Sequence, residues 1–201
     1  MEDYSQNGEQ RLILNYFGGF VGRFLEIGAC DGLLVSNTLA LVGLGWSGVM
    51  VEPSPRAFIV LKDRHGENPN LTLVHAAVGM DYGLAKFWEE STIGGFSTTE
   101  EMNRAKWQHL AAFAQPFYVP MVPVSALLQD FPGPVDFLSI DTEGTSVDLF
   151  CAYPFEAGNQ PKVVCVEHDG RIGECLCHAE SWGYREIARN AENLVFAVGV
   201  A

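Results

Sequence analysis

The chain has 201 residues, 48% of them apolar and 18% charged, and a formal net charge of −13. A chain of this length hides roughly 70% of its unfolded surface, enough to offset the entropy of ordering it, which excludes disorder. The acidic balance, with no run of Lys or Arg, argues against nucleic acid as a partner; the longest nearly apolar stretch, 39–51, is too short for a bilayer and is interrupted by Gly43, Gly45, Ser47 and Gly48.

The polar opening MEDYSQNGEQ is unlike a secretory leader. Arg23 to Ile27 reads as a first strand, ended by Gly28, and Ser36 or Asn37 caps a helix running to about Val42. Gly48 to Val51 is a second strand, stopped by Glu52-Pro53, and Pro55 opens a helix through Arg64. Leu71 to Val74 is a third strand, leading into His75-Ala76-Ala77. In the middle, Ala85 to Trp88 is a short strand and Ser91 to Thr99 a mobile loop. Glu100 to Phe113 is a helix capped by Thr98 or Thr99, and Phe117 to Val124, carrying Pro120 and Pro123, is at best an edge strand. Val135 to Ile140 is a further strand, followed by a helix from Ser146, whose cap is Thr145 or Ser146, and by a strand at Lys162 to Val166. Gly173 to Trp182 is helical, and Tyr184 to Ala188 pairs with Leu194 to Val198. This alternation predicts a Rossmann-like α/β fold: one domain over 1–201, a mostly parallel sheet with helices on both faces, and ligands bound at the carboxyl ends of the strands. Residues 90–117 are a candidate substrate-facing insertion.

Directly after the first strand stands Glu26-Ile27-Gly28-Ala29-Cys30-Asp31-Gly32, and twenty residues beyond Gly32 stands Glu52. Gly28 and Gly32 allow a tight turn, and a carboxylate at the end of the second strand can accept both ribose hydroxyls of an adenosine cofactor. A dinucleotide site wants G-x-G-x-x-G and an uncharged turn for its pyrophosphate. Here the glycines are four apart, and Glu26 and Asp31 bring negative charge that opposes phosphate by several kcal/mol at ~4 Å. A cationic ligand such as S-adenosylmethionine is favoured instead. Asp141 and Glu143 after a later strand, and Glu167-His168-Asp169 after the next, share the same rim. Five cysteines, Cys30, Cys151, Cys165, Cys175 and Cys177, form an odd set that points to reduced thiols in a cytosol. Cys175-Leu176-Cys177-His178 has no second Cys pair at zinc spacing and reads as plain thiols near a helix.

Together with Tyr4-Ser5-Gln6-Asn7-Gly8-Glu9, Ser36-Asn37-Thr38, Gly45-Trp46-Ser47-Gly48, Val51-Glu52-Pro53, His75-Ala76-Ala77-Val78 and Leu138-Ser139-Ile140-Asp141-Thr142-Glu143-Gly144, the glycine turn gives a sequence that resembles the FkbM-type methyltransferases. The resemblance implies a class I methyltransferase fold with a seven-stranded sheet whose last strand is antiparallel, and S-adenosylmethionine as donor. It further implies an acceptor hydroxyl on a sugar, glycan or secondary metabolite. Carried over, Gly28, Ala29 and Gly32 pass under the methionine part, Glu52 holds the ribose, and Ala76 and Ala77 border the adenine. Asp141 faces the amino group or the sulfonium. Gln6, Glu26, Asp31, Ser36, Asn37 and Pro53 complete the cofactor-binding set. One departure stands out: Ser146 occupies a position where the family often places a second acid.

For an O-methyl transfer the protein must align the nucleophile and take its proton. His168 suits that task by its near-neutral ordinary pKa, and Asp141 or Glu143 suits it if burial raises the carboxyl. Acids after two neighbouring strands, Asp141 with Glu167 or Asp169, could together hold a Mg²⁺, but the paired post-strand Asp residues such sites use are missing, so a divalent metal stays unsupported. Trp107, His109, Phe113 and Phe117 fall where substrate-facing structure is expected, and Gly94-Gly95 could hinge a lid. Two alternatives remain open at this point: an NAD-dependent oxidoreductase, which the glycine spacing opposes, and a cofactor-binding module without catalysis. The oligomeric state is not legible.

Overall fold

The computed structural model describes residues 2–89, 97–99, 115–156 and 158–199. In chain order the elements are α1 (Glu9–Phe17), β1 (Arg23–Ile27), α2 (Leu39–Gly43), β2 (Ser47–Val51), α3 (Pro55–His65), β3 (Leu71–Val74), β4 (Ala77–Gly79), β5 (Gly83–Phe87) and β6 (Phe117–Pro123). They continue with α4 (Val124–Asp130), β7 (Phe137–Ile140), α5 (Ser146–Ala152), β8 (Val163–Glu167), α6 (Ile172–Ser181), β9 (Tyr184–Arg189) and β10 (Asn193–Val198).

Seven strands form one sheet in the order β3-β2-β1-β7-β8-β10-β9. The first five run parallel, and the last strand of the chain, β10, is antiparallel to both its neighbours. Strand alternation sorts the core into two layers. Leu25, Ile27, Val49, Val51, Leu138, Ile140, Val164 and Val166 face α4, α5 and α6 through Leu127, Val147, Phe150 and Ala179. The intervening Phe24, Met50, Phe137, Val163 and Cys165 face α1, α2 and α3 through Ile13, Phe17, Leu41 and Leu61. Strands covered on both sides must be apolar on both faces, which is why β2 and β8 read as continuous hydrophobic runs. Strand order reverses between β1 and β7, the place where such sheets open a crevice.

Two helices escape the sequence reading, α1 and α4. The spacing of Leu12, Ile13, Tyr16 and Phe17 carries the signal for α1, with Ile13 and Phe17 buried against the sheet. A second sheet, β4-β6-β5, corrects another expectation: β6 is its middle strand, not an edge. The prolines are tolerated because β4 pairs only Met121 to Pro123, and β5 only Phe117 to Met121. Pro120 and Pro123 therefore each have a paired neighbour on one side only. Most of the expected loop 91–99 and the whole expected helix 100–113 lie outside the described residues.

Candidate active site

The register fixes the site. Ile27 pairs with Val51 and Ile140, and Ile140 with Val166, so the next residues along, Gly28, Glu52, Asp141 and Glu167, arrive side by side at one sheet end. A cavity of about 370 Å³ opens there, lined by residues from these strand ends, from the β1–α2 loop and from β4 and β5 of the second sheet. This is within the size range of small-molecule sites.

Gly28 has φ +89°, and a Cβ on it would lie 1.6 Å from the Asp141 carbonyl oxygen. Only glycine lets the β1 and β7 loops meet this closely. Gly32 serves a different contact: its Cβ would meet Leu61 Cδ1 at 2.6 Å and His65 at 2.8 Å, so it brings the turn against α3 and does not line the cavity. Asp31 is also turned away. Its carboxylate accepts the N–H groups of Leu33 and Leu34 at 2.9 and 2.8 Å and pairs with Arg64 at 3.1 Å. Burial works against its ionisation, yet these partners hold it below the usual carboxylate range. The negative charge expected of Asp31 is thus offset by Arg64.

Glu26 is buried, accepts the Thr38 hydroxyl at 2.7 Å, and is pushed up to about 8 by burial. Glu52 accepts the Cys30 and Ser54 N–H groups at 2.8 and 2.7 Å, and burial raises it to about 7 despite them. Asp141 is raised to about 7 by burial and by the charge of Glu143. Asn37 donates to Ser139 Oγ at 3.2 Å, but its buried Oδ1 has no hydrogen-bond partner among the described residues. No Lys, Arg or His lines the cavity among the described residues.

Of the residues singled out from the sequence, Gln6, Glu26, Gly28, Ala29, Ser36, Asn37, Glu52, Pro53, Ala77, Asp141 and Glu143 lie on the cavity wall. Ala76 does not; its neighbours Ala77 and Val78 do. His168, expected as a candidate general base, lies off the cavity wall. It is buried, its Nδ1 accepts the Gly170 N–H at 3.0 Å, and its Nε2 lies 3.5 Å from the Asn190 carbonyl, tying the β8 loop to the β9–β10 turn. Cys175 is buried and Cys177 exposed, so α6 points the two thiols to different surroundings.

Other wall residues belong to none of the quoted motifs: Leu34, Val35, Phe87, Ser97, Thr99 and Thr145. Val78 and Phe87 come from the second sheet, whose place the sequence does not announce. Ser97 and Thr99 are brought in by the bridge between Trp88 and Thr98 and by the Thr98 hydroxyl, which donates to the Glu143 carbonyl at 2.6 Å. Backbone strain marks the same region. Of the four non-glycine residues with positive φ among the described residues, Cys30, Val35, Glu143 and Asp169, the first three line the cavity, and such strain persists where the surrounding structure enforces it, commonly at functional sites.

Residues 26–185 match the Methyltransferase FkbM domain, and the chain belongs to this methyltransferase family. No curated protein matches the sequence. Among solved structures the fold is similar to a putative O-methyltransferase from Klebsiella pneumoniae, at TM-score 0.53 and 12% identity over 100% of this chain and 83% of that one. It is similar also to a putative caffeoyl-CoA O-methyltransferase from Staphylococcus aureus, at 0.51 and 9% over 98% and 85%. A third likeness is to precorrin 8w decarboxylase from Methanobacterium thermoautotrophicum, at 0.51 and 12% over 99% and 93%. At these identities the likeness is one of fold: a class I methyltransferase with its seven-stranded, mostly parallel sheet. The family's cofactor is S-adenosylmethionine, and the wall fits it. Among the described residues the wall presents carboxyls and no Lys, Arg or His, which suits a ligand bearing an ammonium and a sulfonium.

Proposed function

We propose that the protein transfers a methyl group from S-adenosylmethionine to a hydroxyl of a small molecule or glycan. One observation carries this reading: the carboxyls of Glu26, Glu52 and Asp141 on the cavity wall are raised by burial, and no Lys, Arg or His lines the wall among the described residues. A pyrophosphate cofactor would find no Lys, Arg or His there among the described residues and would drive these acids further toward their neutral forms, whereas a cationic ligand favours their ionised forms. The net charge of −13 supports an acceptor other than nucleic acid.

In this reading Glu52 takes the ribose hydroxyls, and Ala77, Val78 and Phe87 border the adenine. Gly28 and Ala29 floor the methionine part, and Glu26, Asp141 and Asn37 Oδ1 face the ammonium. When bound, the cofactor supplies a methyl group made electrophilic by its sulfonium. The protein's part is to hold the acceptor oxygen in line with it, which is worth roughly 7–11 kcal/mol of barrier, and to receive the hydroxyl proton. In this reading Asp141 or Glu143, both on the wall, receives it, and Asp141, raised toward neutrality, is a better base for a hydroxyl than an ordinary carboxylate. Ser97 and Thr99 bring the edge of the 90–117 segment to the cavity, which supports an acceptor-facing role for that segment.

Titration calorimetry with S-adenosylmethionine and with NAD tests the cofactor: the expected result is binding of the first and none of the second. Screening hydroxylated acceptors with labelled donor tests the reaction, and Asp141→Ala is expected to lower transfer by at least about a hundredfold, the scale of a lost general base. NAD binding without donor binding would defeat the proposal.

A further inference from the structure

The segment ahead of α1 has no part in the transfer outlined above and precedes the residues that match the family, yet Gln6 within it lines the cavity. Its place is held from both sides. Before Gln6, Gln10 folds the chain back: its Oε1 accepts the Tyr4 N–H at 3.0 Å, its Nε2 donates to the Glu2 carbonyl at 2.6 Å, and its own N–H donates to Ser5 Oγ at 3.1 Å. After Gln6, the Asn7 N–H donates to Glu9 Oε2 at 2.8 Å and the Asn7 amide to Glu192 Oε2 at 2.8 Å.

Glu9 is the centre of the second anchor. It is 1% exposed, and its Oε1 accepts Nδ2 of Asn190 at 2.6 Å and Nδ2 of Asn193 at 2.9 Å. Three N–H donors thus converge on its two oxygens, which suits an ionised carboxylate, since that group only accepts. Asn190 cannot turn its amide round, because its Oδ1 already accepts the N–H groups of Glu192 and Asn193 at 3.0 and 2.7 Å. The same β9–β10 turn accepts the His168 N–H on the Glu192 carbonyl at 2.8 Å. Glu9 therefore joins the Gln6 segment to a turn that is itself tied to the end of β8, while standing off the cavity wall.

We propose that Glu9 is a positioning residue: it latches residues 2–8 to the β9–β10 turn and thereby seats the Gln6 side chain against the bound methyl donor. This rests on the reading that the cavity binds S-adenosylmethionine. Gln6 supplies an amide that both donates and accepts hydrogen bonds; Glu9 touches no ligand and acts only through Gln6.

The test is a double-mutant cycle on affinity for S-adenosylmethionine, by calorimetry on the whole chain, with Glu9→Gln, Gln6→Ala and the two combined. Glu9→Gln keeps the size but sets an NH₂ where all three partners are donors. It is expected to weaken binding about tenfold, as is Gln6→Ala, the scale of one lost hydrogen bond. The combined variant is expected to bind within about twofold of the weaker single one, because a loosened segment has already lost the Gln6 contact. A merely structural Glu9 would add its loss to that of Gln6, about a hundredfold in all. Asn190→Asp breaks the latch from the turn, setting a carboxylate against Glu9 while keeping an oxygen for the Glu192 and Asn193 N–H groups, and is expected to match Glu9→Gln. Hydrogen exchange of the free protein gives a readout without ligand: over residues 2–10, Glu9→Gln and Asn190→Asp are expected to exchange about tenfold faster than the wild type, and Gln6→Ala at the wild-type rate. Additive losses in the cycle, an unchanged affinity in Gln6→Ala, or unchanged exchange in the two latch variants would each overturn the proposal. If the wild type does not bind S-adenosylmethionine, the functional reading falls and takes the seat of Gln6 with it, whereas unchanged exchange beside intact binding overturns the latch alone. If Glu9→Gln does not fold, Asn190→Asp takes its place in the cycle with Gln6→Ala.

Discussion

At the scale of single residues the site depends on close approach. A methyl group on Gly28 cannot move aside from the Asp141 carbonyl, because both belong to backbone held by the Gly28 N–H to Val51 and the Asp141 N–H to Ile27 bonds, each 2.9 Å. Gly28→Ala is therefore expected to cost about 3 kcal/mol or more, combining a positive φ with a backbone clash, read as a lower denaturant midpoint. Gly32→Ala meets only side-chain ends on α3 and is expected to cost less in the same measurement. Cys30 gives a chemical prediction. Its thiol lines the cavity, yet burial and the Glu52 carboxylate push it up to about 12. Only the thiolate reacts with alkylating agents, so at neutral pH the exposed Cys177 is expected to be labelled well before Cys30, as peptide mass mapping would show; the reverse order would contradict this electrostatic picture.

Between elements, Ser54 is the joint that ties the cavity end of β2 to the segment that follows β5. Its hydroxyl accepts the Ala57 N–H at 3.1 Å, capping α3, and donates to Glu89 Oε1 at 2.6 Å, while its own N–H holds Glu52 at 2.7 Å. Ser54→Ala is expected to cost about 1–2 kcal/mol as a lost cap. It also leaves buried Glu89 short of a donor, so the donor affinity measured by calorimetry should fall with the denaturant midpoint. A variant that loses stability but binds the donor unchanged would show that the cap and the Glu52 site are independent. The elements legible in the sequence were those whose signals are local. Gly28 and Glu52-Pro53 end β1 and β2, Pro55 opens α3, and continuous apolar runs mark β7 and β8. What stayed hidden depends on partners distant in the chain. Ala77 to Gly79 is too short to announce a strand without β6, and Pro120 argues for an edge until β4 is seen to stop short of it. In the site, acids at strand ends were visible because the register of a parallel sheet is implied by alternation. The place of Asp31 is not legible because its partner, Arg64, lies a helix away, and that of His168 because its Nε2 faces the Asn190 carbonyl in the β9–β10 turn.

For the whole molecule, the same buried acids set how stability depends on pH. Glu26, Glu52, Asp141 and Glu167 have folded values of about 8, 7, 7 and 9, above their ordinary ones. A group raised on folding binds more protons in the native state, so its contribution is fully present below the unfolded pKa, about 4, and is lost as pH rises through the folded value. Glu9 and Asp31 act with the opposite sign. Burial opposes ionisation of Glu9, but hydrogen bonds from the Asn7 N–H, Asn193 and Asn190 hold it low, and Asp31 is held low by Leu34, Leu33 and Arg64. Their contribution is present above the unfolded value and lost as acid protonates them. Stability without donor should thus peak near pH 5 and decline toward pH 9, by roughly several kcal/mol in all as the buried acids lose their protons one after another. A cationic donor favours the ionised forms, so saturating S-adenosylmethionine should lift the alkaline limb more than the acid one and release protons on binding. Denaturant midpoints near pH 5, 7 and 9, with and without donor, measure both effects. A midpoint that rises with pH in the absence of donor would mean that these acids are not held protonated by the fold, and the electrostatic basis of the site would have to be sought elsewhere.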